Sequence, residues 1–277
     1  ELVLHNGGLS GVSRAGDAYF YENPLESHGQ HRRWSWHYCP CCPTNLARLV
    51  ASLGGYVASH DDENVAIHLY AASTIDLEVA GRALRLIQQT AYPWDGDIRI
   101  TVEADAPVPA TLWLRIPGWC RDATASVNGV PVDVVALTRK GYLGIRRDWA
   151  AGDEIRLHLA MPVEALHAHP DVGMDADRVA LKRGPVLYCV EEADNAAPPQ
   201  HMRLAAGEAK AAFDAGKLGG VVTLAVPATI DRTADWQDTL YRPRPAETVA
   251  GTITAIPYFA WANREPGTML VWLRDGR

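Results

Sequence analysis

No apolar run in this 277-residue chain reaches the ~20 residues a helix needs to cross a bilayer, and no signal-type segment opens it. A membrane-spanning helix is therefore not expected. Basic blocks are missing too. Lys and Arg number 26 against 33 Asp and Glu, for a formal net charge of -7, and without a Lys/Arg cluster a phosphate backbone finds no counter-surface. Nucleic acid is not an expected partner. There is no internal repeat at a fixed period and no low-complexity tract. The five cysteines are odd in number and unevenly placed, so a disulfide framework does not fit, and paired Cys-x-x-Cys knuckles, the usual zinc spacing, are absent.

What is present is the profile of a folded globular chain, 48% hydrophobic and 21% charged. At ~150 residues per domain the length suits about two domains, each able to bury a core. Residue 1 is Glu, and the text begins in mid-pattern with Leu2, Val3 and Leu4. The expectation is a piece of a longer protein.

The first 50 residues hold Cys39, Cys41 and Cys42 together with His5, His28, His31 and His37. Glu1 to Leu9 reads as the end of a helix, and Val12 to Glu22 as a short hairpin with Tyr19, Phe20 and Tyr21 on its return strand. Asn23 to Cys42 lacks periodicity and reads as a long loop, a common place for function. A helix then starts near Pro43, with Leu46, Leu49, Val50, Leu53 and Val57 on one stripe and Gly54-Gly55 weakening or ending it. The cysteines thus fall at a helix N-terminus, a setting that favours thiolate over thiol.

Beyond Tyr56 short β-branched runs follow one another: 64–71, 73–79, 83–90, 97–103, 110–116, 142–146 and 154–159, with Val127-Asn128-Gly129-Val130 as a type I′ hairpin signature. Regular short strands predict a β-sandwich. A second series runs from Val163 through 178–181, 186–190, 221–226, 252–257 and 269–273. Between them 193–218, rich in Ala, Pro and charge, reads as loops with one short helix. Cys120 and Cys189, alone in strand-like runs, read as buried small hydrophobes.

His37-Tyr38-Cys39-Pro40-Cys41-Cys42-Pro43 places four soft or borderline ligands close together. Zinc takes such ligands, but neighbouring side chains cannot easily fill four tetrahedral corners, so two ligands would have to come from elsewhere. A buried structural cysteine cluster is the competing reading.

Phe20-Tyr21-Glu22-Asn23-Pro24-Leu25-Glu26, Cys39-Pro40-Cys41-Cys42-Pro43-Thr44-Asn45-Leu46-Ala47-Arg48 and Ser52-Leu53-Gly54-Gly55-Tyr56 resemble blocks of glycoside hydrolase family 127, the β-L-arabinofuranosidases. Arg115-Ile116-Pro117-Gly118-Trp119, Arg183-Gly184-Pro185-Val186-Leu187-Tyr188 and Ile256-Pro257-Tyr258-Phe259-Ala260-Trp261-Ala262-Asn263-Arg264 continue the resemblance over nearly the whole chain. It implies a mainly β chain: residues 1–58 as the last segment of an (α/α)6 barrel catalytic domain with the cysteine cluster, 59–162 as a β-sandwich and 163–277 as a second one. It also implies a retaining exo-glycosidase that releases β-L-arabinofuranose from arabinosides or other plant-derived oligosaccharides. Carried over, Cys41 is the nucleophile and a zinc ligand, and Cys42 a second ligand. Cys39 matches a position the family does not use for zinc. A free thiol, with a pKa of about 8.5, is mostly protonated at neutral pH, and zinc would hold it as thiolate. The remaining zinc ligands of the family come from an upstream Glu-x-Cys motif, and its acid/base glutamate also lies upstream. Neither precedes Cys41 here, so the expectation is that the chain alone binds zinc poorly and does not turn over substrate. A bacterial cytoplasmic setting fits the family.

Other residues keep two readings each. Tyr21 and His37 are candidate substrate contacts, or a hairpin-core residue and a loop histidine. Trp34 and Trp36 offer a sugar-stacking face, or close the loop onto its domain. Glu22 and Glu26 suggest paired carboxylates, or loop-capping and solvated groups. His167 and His169 look like a metal pair but are explained by a turn. The competing view of the whole chain is a non-catalytic accessory region of β-sandwiches that supports the barrel or binds carbohydrate.

Overall fold

The computed structural model describes residues 1–234, 236 and 239–276. The chain divides into two compact units, Glu1–Leu46 with Val163–Arg277, and Ala47–Pro162. Among the described residues the strands make three sheets, of ten, five and six strands.

Ala47–Pro162 is built on alternation. In Val108–Arg115 every second side chain is buried, because successive strand residues face opposite sides of a sheet. Val108, Ala110, Leu112 and Leu114 meet Val65 and Ile67 of the same sheet and Leu86, Ile100, Ile155 and Leu157 of the other in one apolar cluster. The five-stranded sheet runs Thr138–Arg139, Tyr142–Trp149, Val108–Arg115, Asn64–Ile67, Ala58–His60. The six-stranded one runs Ser73–Val79, Arg82–Thr90, Asp97–Glu103, Glu154–Leu159, Ala123–Val127, Val130–Val132. Two sheets over a shared core form the expected sandwich. Asn128 and Gly129 both take positive φ, 52° and 77°, the pair of angles a type I′ hairpin requires. Gly144 lies opposite Trp113, where a Cβ would come within 2.4 Å of the indole. Glycine there lets Trp113 lie across the strand and donate from Nε1 to Asn64 Oδ1 at 3.0 Å.

The other unit differs from the expected second sandwich. Strands Val186–Glu191, Thr248–Pro257, Val221–Asp231, Met202–Leu204, Trp272–Asp275 and Arg178–Arg183 pair in that order, and Arg178–Arg183 pairs back onto Val186–Glu191. One sheet closes on itself. Alternating strands look alike whether they close or stack; the tight connection at Gly184-Pro185 joins the two ends here. Inside lie Val179, Leu181, Tyr188, Val190, Leu224 and Ala255. Outside, Ala180, Cys189, Ile256 and Met269 form a second cluster with Phe20, Tyr258 and Trp261. Burial on both faces follows because the first residues of the chain cover the outer one.

Several local expectations need correction. Asn23 to Cys42 is not all loop, since Glu26–His28 adds to the ten-stranded sheet against Thr268–Leu270. Residues 193–218 carry the strands Met202–Leu204 and Lys210–Asp214; the first pairs with strands distant in sequence, the second in a hairpin with the strand that follows it, Val221–Asp231. The helical start includes a π-helical turn, Leu4–Gly8. The main helix, α1, is Cys41–Ser52 and continues as a 3-10 turn, Leu53–Tyr56, through the two glycines. None of its residues is buried, so its apolar stripe does not face a core among the described residues. Cys189 is buried as expected, while Cys120 is half-buried with its Sγ on the Asp122 carbonyl at 3.1 Å.

Candidate active site

The cysteine segment is placed from the closed sheet outward. Phe20 stacks on Trp261 with ring centroids 5.0 Å apart, and the Arg33 guanidinium sits over Phe20 at 4.4 Å. Arg33 donates to the carbonyls of Ser10, Trp261 and Ala262 at 2.7 to 3.2 Å. Burial of that cation pulls its pKa down to about 10, against the opposing pull of Glu191 and Tyr258. Asn6 adds a second tie, donating to the Pro185 carbonyl and accepting from the Leu187 amide, both at 2.8 Å.

From this anchor the chain runs to the sulfurs. Tyr19 and Trp34 exchange backbone hydrogen bonds of 2.9 and 2.8 Å, and the Tyr19 hydroxyl donates to the His37 carbonyl at 3.3 Å. His37 is the centre of an aromatic cluster: Trp34 stacks on it at 4.3 Å and 14°, Tyr38 lies at 4.2 Å and Tyr21 at 5.3 Å. Its Nδ1 accepts from the Cys39 amide at 3.2 Å. Trp34 thus contributes to placing the histidine, while Trp36 and Tyr38 are 73% and 88% exposed.

Cys41 opens α1 and is exposed; Cys39 and Cys42 are half-buried. Thr44 Oγ1 donates to the carbonyls of Pro40 and Cys41 at 3.1 and 3.0 Å, and Asn45 Nδ2 to that of Cys41 at 2.8 Å. The Sγ of Cys41 lies 3.5 Å from that of Cys39 and 3.8 Å from that of Cys42, and Cys42 Sγ is 4.0 Å from the Tyr21 carbonyl. Charge on these sulfurs, Cys39 foremost and then Cys41 and Cys42, holds the exposed Tyr21 phenol above its ordinary pKa. The structure therefore gathers Cys41, Cys42, Tyr21 and His37 in one place. Sequence reasoning had no signal for the Arg33 anchor, or for the closeness of Cys39 to Cys41.

The other candidates lie apart. Glu26 pairs with His28 at 3.1 Å and Arg178 at 3.5 Å, in keeping with a surface strand. His169 pairs with Asp171 at 3.5 Å in a turn. Among the described residues no group of three or more His, Cys, Asp or Glu is arranged to hold a metal ion. A recess of about 150 Å³ beside Tyr21 is lined by Phe20, Glu22, His31, Arg32 and Trp34. A larger one of about 640 Å³ is lined by Arg14, Arg33, Glu191 and Arg264 among others. The cysteines line neither of these two recesses.

Three family models match successive parts of the chain: the β-L-arabinofuranosidase GH127 catalytic domain over residues 1–55, the GH127 middle domain over 64–161 and the glycoside hydrolase family 127 C-terminal domain over 163–274. The non-reducing end β-L-arabinofuranosidase of Bifidobacterium longum subsp. longum is 36% identical over 301 residues, 99% of this chain and 44% of that protein. The crystal structure of a GH127 β-L-arabinofuranosidase from Geobacillus stearothermophilus T6 superposes with a TM-score of 0.93 at 43% identity, covering 98% of this chain and 45% of that one. A second solved GH127 β-arabinofuranosidase gives 0.90 at 35% identity, covering 98% and 44%. The chain spans less than half the length of these relatives.

Proposed function

The chain belongs to glycoside hydrolase family 127, and from that premise we propose that it carries the nucleophile-bearing part of a retaining glycosidase acting on β-L-arabinofuranosides. The observation that carries this reading is the exposed Cys41 sulfur at the start of α1, with Cys42, Tyr21 and His37 around it. Cys41 Sγ displaces the glycosidic oxygen at the anomeric carbon, giving a thioglycosyl intermediate that water then hydrolyses with net retention. The Tyr21 hydroxyl, its pKa raised further by the neighbouring sulfurs, is a donor for a sugar oxygen, and His37 holds the segment that carries the nucleophile.

The metal of the family is tested by the sulfur spacing. Thiolates about 2.3 Å from zinc at tetrahedral corners lie about 3.8 Å apart. The Cys41 and Cys42 sulfurs, at 3.8 Å, fit two such corners. Bound there, zinc would keep both sulfurs ionised at neutral pH. Two donors are half of a tetrahedral set, so we expect weak zinc binding by these 277 residues. We assign the leaving-group proton to a carboxylate outside them, as the family resemblance implies; Glu26 is engaged with His28 and Arg178. The three-part division at residues 58 and 162, with the first part belonging to an α/α barrel, is part of the same proposal.

An aryl β-L-arabinofuranoside with a good leaving group needs no general acid, so it isolates the nucleophilic step. Incubated with the chain and zinc, it should leave a pentosyl adduct on Cys41, read by peptide mass, with little turnover and no adduct in Cys41→Ala. An adduct elsewhere, or turnover by Cys41→Ala, would overturn the assignment. Failure of wild type to react at all would favour a non-catalytic accessory role.

A further inference from the structure

Cys39 has no part in the reaction proposed above, yet its sulfur lies closer to Cys41 Sγ than that of Cys42 does, 3.5 against 3.8 Å. We propose that Cys39 is a resolving thiol: under peroxide it closes a reversible Cys39–Cys41 disulfide and so returns an oxidised Cys41 before the damage becomes permanent.

Exposure makes Cys41 the first sulfur a small oxidant meets, because Cys39 and Cys42 are half-buried and Cys189 is buried. Backbone geometry then selects the partner. Disulfides need Cα atoms roughly 4.4–6.8 Å apart, whereas neighbours across a trans peptide sit at about 3.8 Å. The adjacent pair Cys41-Cys42 is too close along the chain to bridge without distortion. Cys39, one residue further away across Pro40, can reach the required span where the chain turns into α1. That turn is held on both sides. The Cys39 amide is fixed on His37 Nδ1 and the Pro40 carbonyl on Thr44 Oγ1, so the two sulfurs meet without a search.

The chemistry balances with a peroxide as oxidant. Cys41 Sγ attacks one peroxide oxygen, the O–O bond breaks, and the departing hydroxide takes the thiol proton as water, leaving a sulfenic acid. Cys39 Sγ attacks that sulfur, the S–O bond breaks, and the hydroxyl leaves with the Cys39 proton as a second water. Two thiols have lost two electrons and two protons, and one peroxide has become two waters. A sulfenic acid with no thiol at hand goes on to sulfinic acid, which ordinary reductants do not reverse. This oxidation chemistry does not depend on the sugar chemistry, and it holds or fails whether or not the chain is a glycosidase.

The test treats the 277-residue chain with hydrogen peroxide, alkylates the remaining thiols and examines the tryptic peptide of residues 34–48, which contains all three cysteines. Wild type should give a peptide lighter by two hydrogens with its single label on Cys42, and dithiothreitol should restore both thiols. In Cys39→Ser, Cys41 should gain two oxygens, and the fraction that dithiothreitol cannot recover should rise several-fold. Cys42→Ser should form the disulfide as wild type does. A wild-type label on Cys39, a Cys39→Ser chain as recoverable as wild type, loss of the disulfide in Cys42→Ser, or disulfides only between chains would each overturn the proposal.

Discussion

The strands between Ala58 and Leu159 and the first 56 residues use apolar side chains in opposite ways. In the former, Val65, Leu86, Ile100, Leu112, Leu114 and Ile155 are sealed in one core. In the latter, Leu2, Val3, Trp36, Tyr38, Val50 and Tyr56 remain exposed, and the segment that carries the cysteines is held by a few directed contacts from Arg33, Asn6 and the strand Glu26–His28. One region is stabilised chiefly by area removed from water, the other by directed hydrogen bonds and by ring contacts at Phe20 and His37. Stability and reactive chemistry therefore reside in different parts of the chain, and substitutions should separate them.

The largest effect should come from the sandwich core. Leu112→Ala removes a fully buried side chain and should cost about 2–5 kcal/mol in urea unfolding, while the folded protein's Cys41 alkylation rate stays unchanged. A loss under about 1 kcal/mol would break the contrast. Next comes Arg33→Ala, which leaves the carbonyls of Ser10, Trp261 and Ala262 without their charged donor and should cost about 1.5–3 kcal/mol. Here alkylation of Cys41 should change as well, because the anchor of its segment is lost. Arg33→Lys should restore only part of the stability, an ammonium being unable to reproduce the planar fork.

A smaller effect should be confined to acid. His5 is held neutral, its pKa lowered to about 4, chiefly by burial. Between about pH 6.5 and 4 the unfolded chain takes up a proton that the folded one does not, so this contribution is complete above about 6.5 and lost as pH falls toward 4. His5→Gln should flatten that part of the stability profile; an unchanged slope would remove His5 as its cause. The smallest effect belongs to α1, where Leu49→Ala at an exposed position should stay within about 0.5 kcal/mol. A larger loss would mean that the stripe is covered in solution.

Strand positions were legible because a half-buried strand repeats every two residues. The readings 73–79, 97–103 and 154–159 coincide with Ser73–Val79, Asp97–Glu103 and Glu154–Leu159, and Asn128-Gly129 fixed its hairpin. The strand Met202–Leu204 escaped because its parallel neighbour, Trp272–Asp275, lies some 70 residues away, and Glu26–His28 because it is three residues long. In the candidate site, Cys41, Cys42, Tyr21 and His37 could be singled out by residue type and motif. Their closeness, and that of Cys39, depends on a ring stack and on carbonyls presented by residues more than 200 positions away.

The order of residues by itself determined the mainly β character, the helix that begins at the cysteines and the chemical kind of side chain gathered there, since each follows from local periodicity or from motif. Only the tertiary structure decided that the last sheet closes on itself, that the opening segment lies against it, and which sulfur faces which. Strand pairing and the direction of a side chain are set by partners distant in sequence, and a local pattern carries no information about a partner it does not contain.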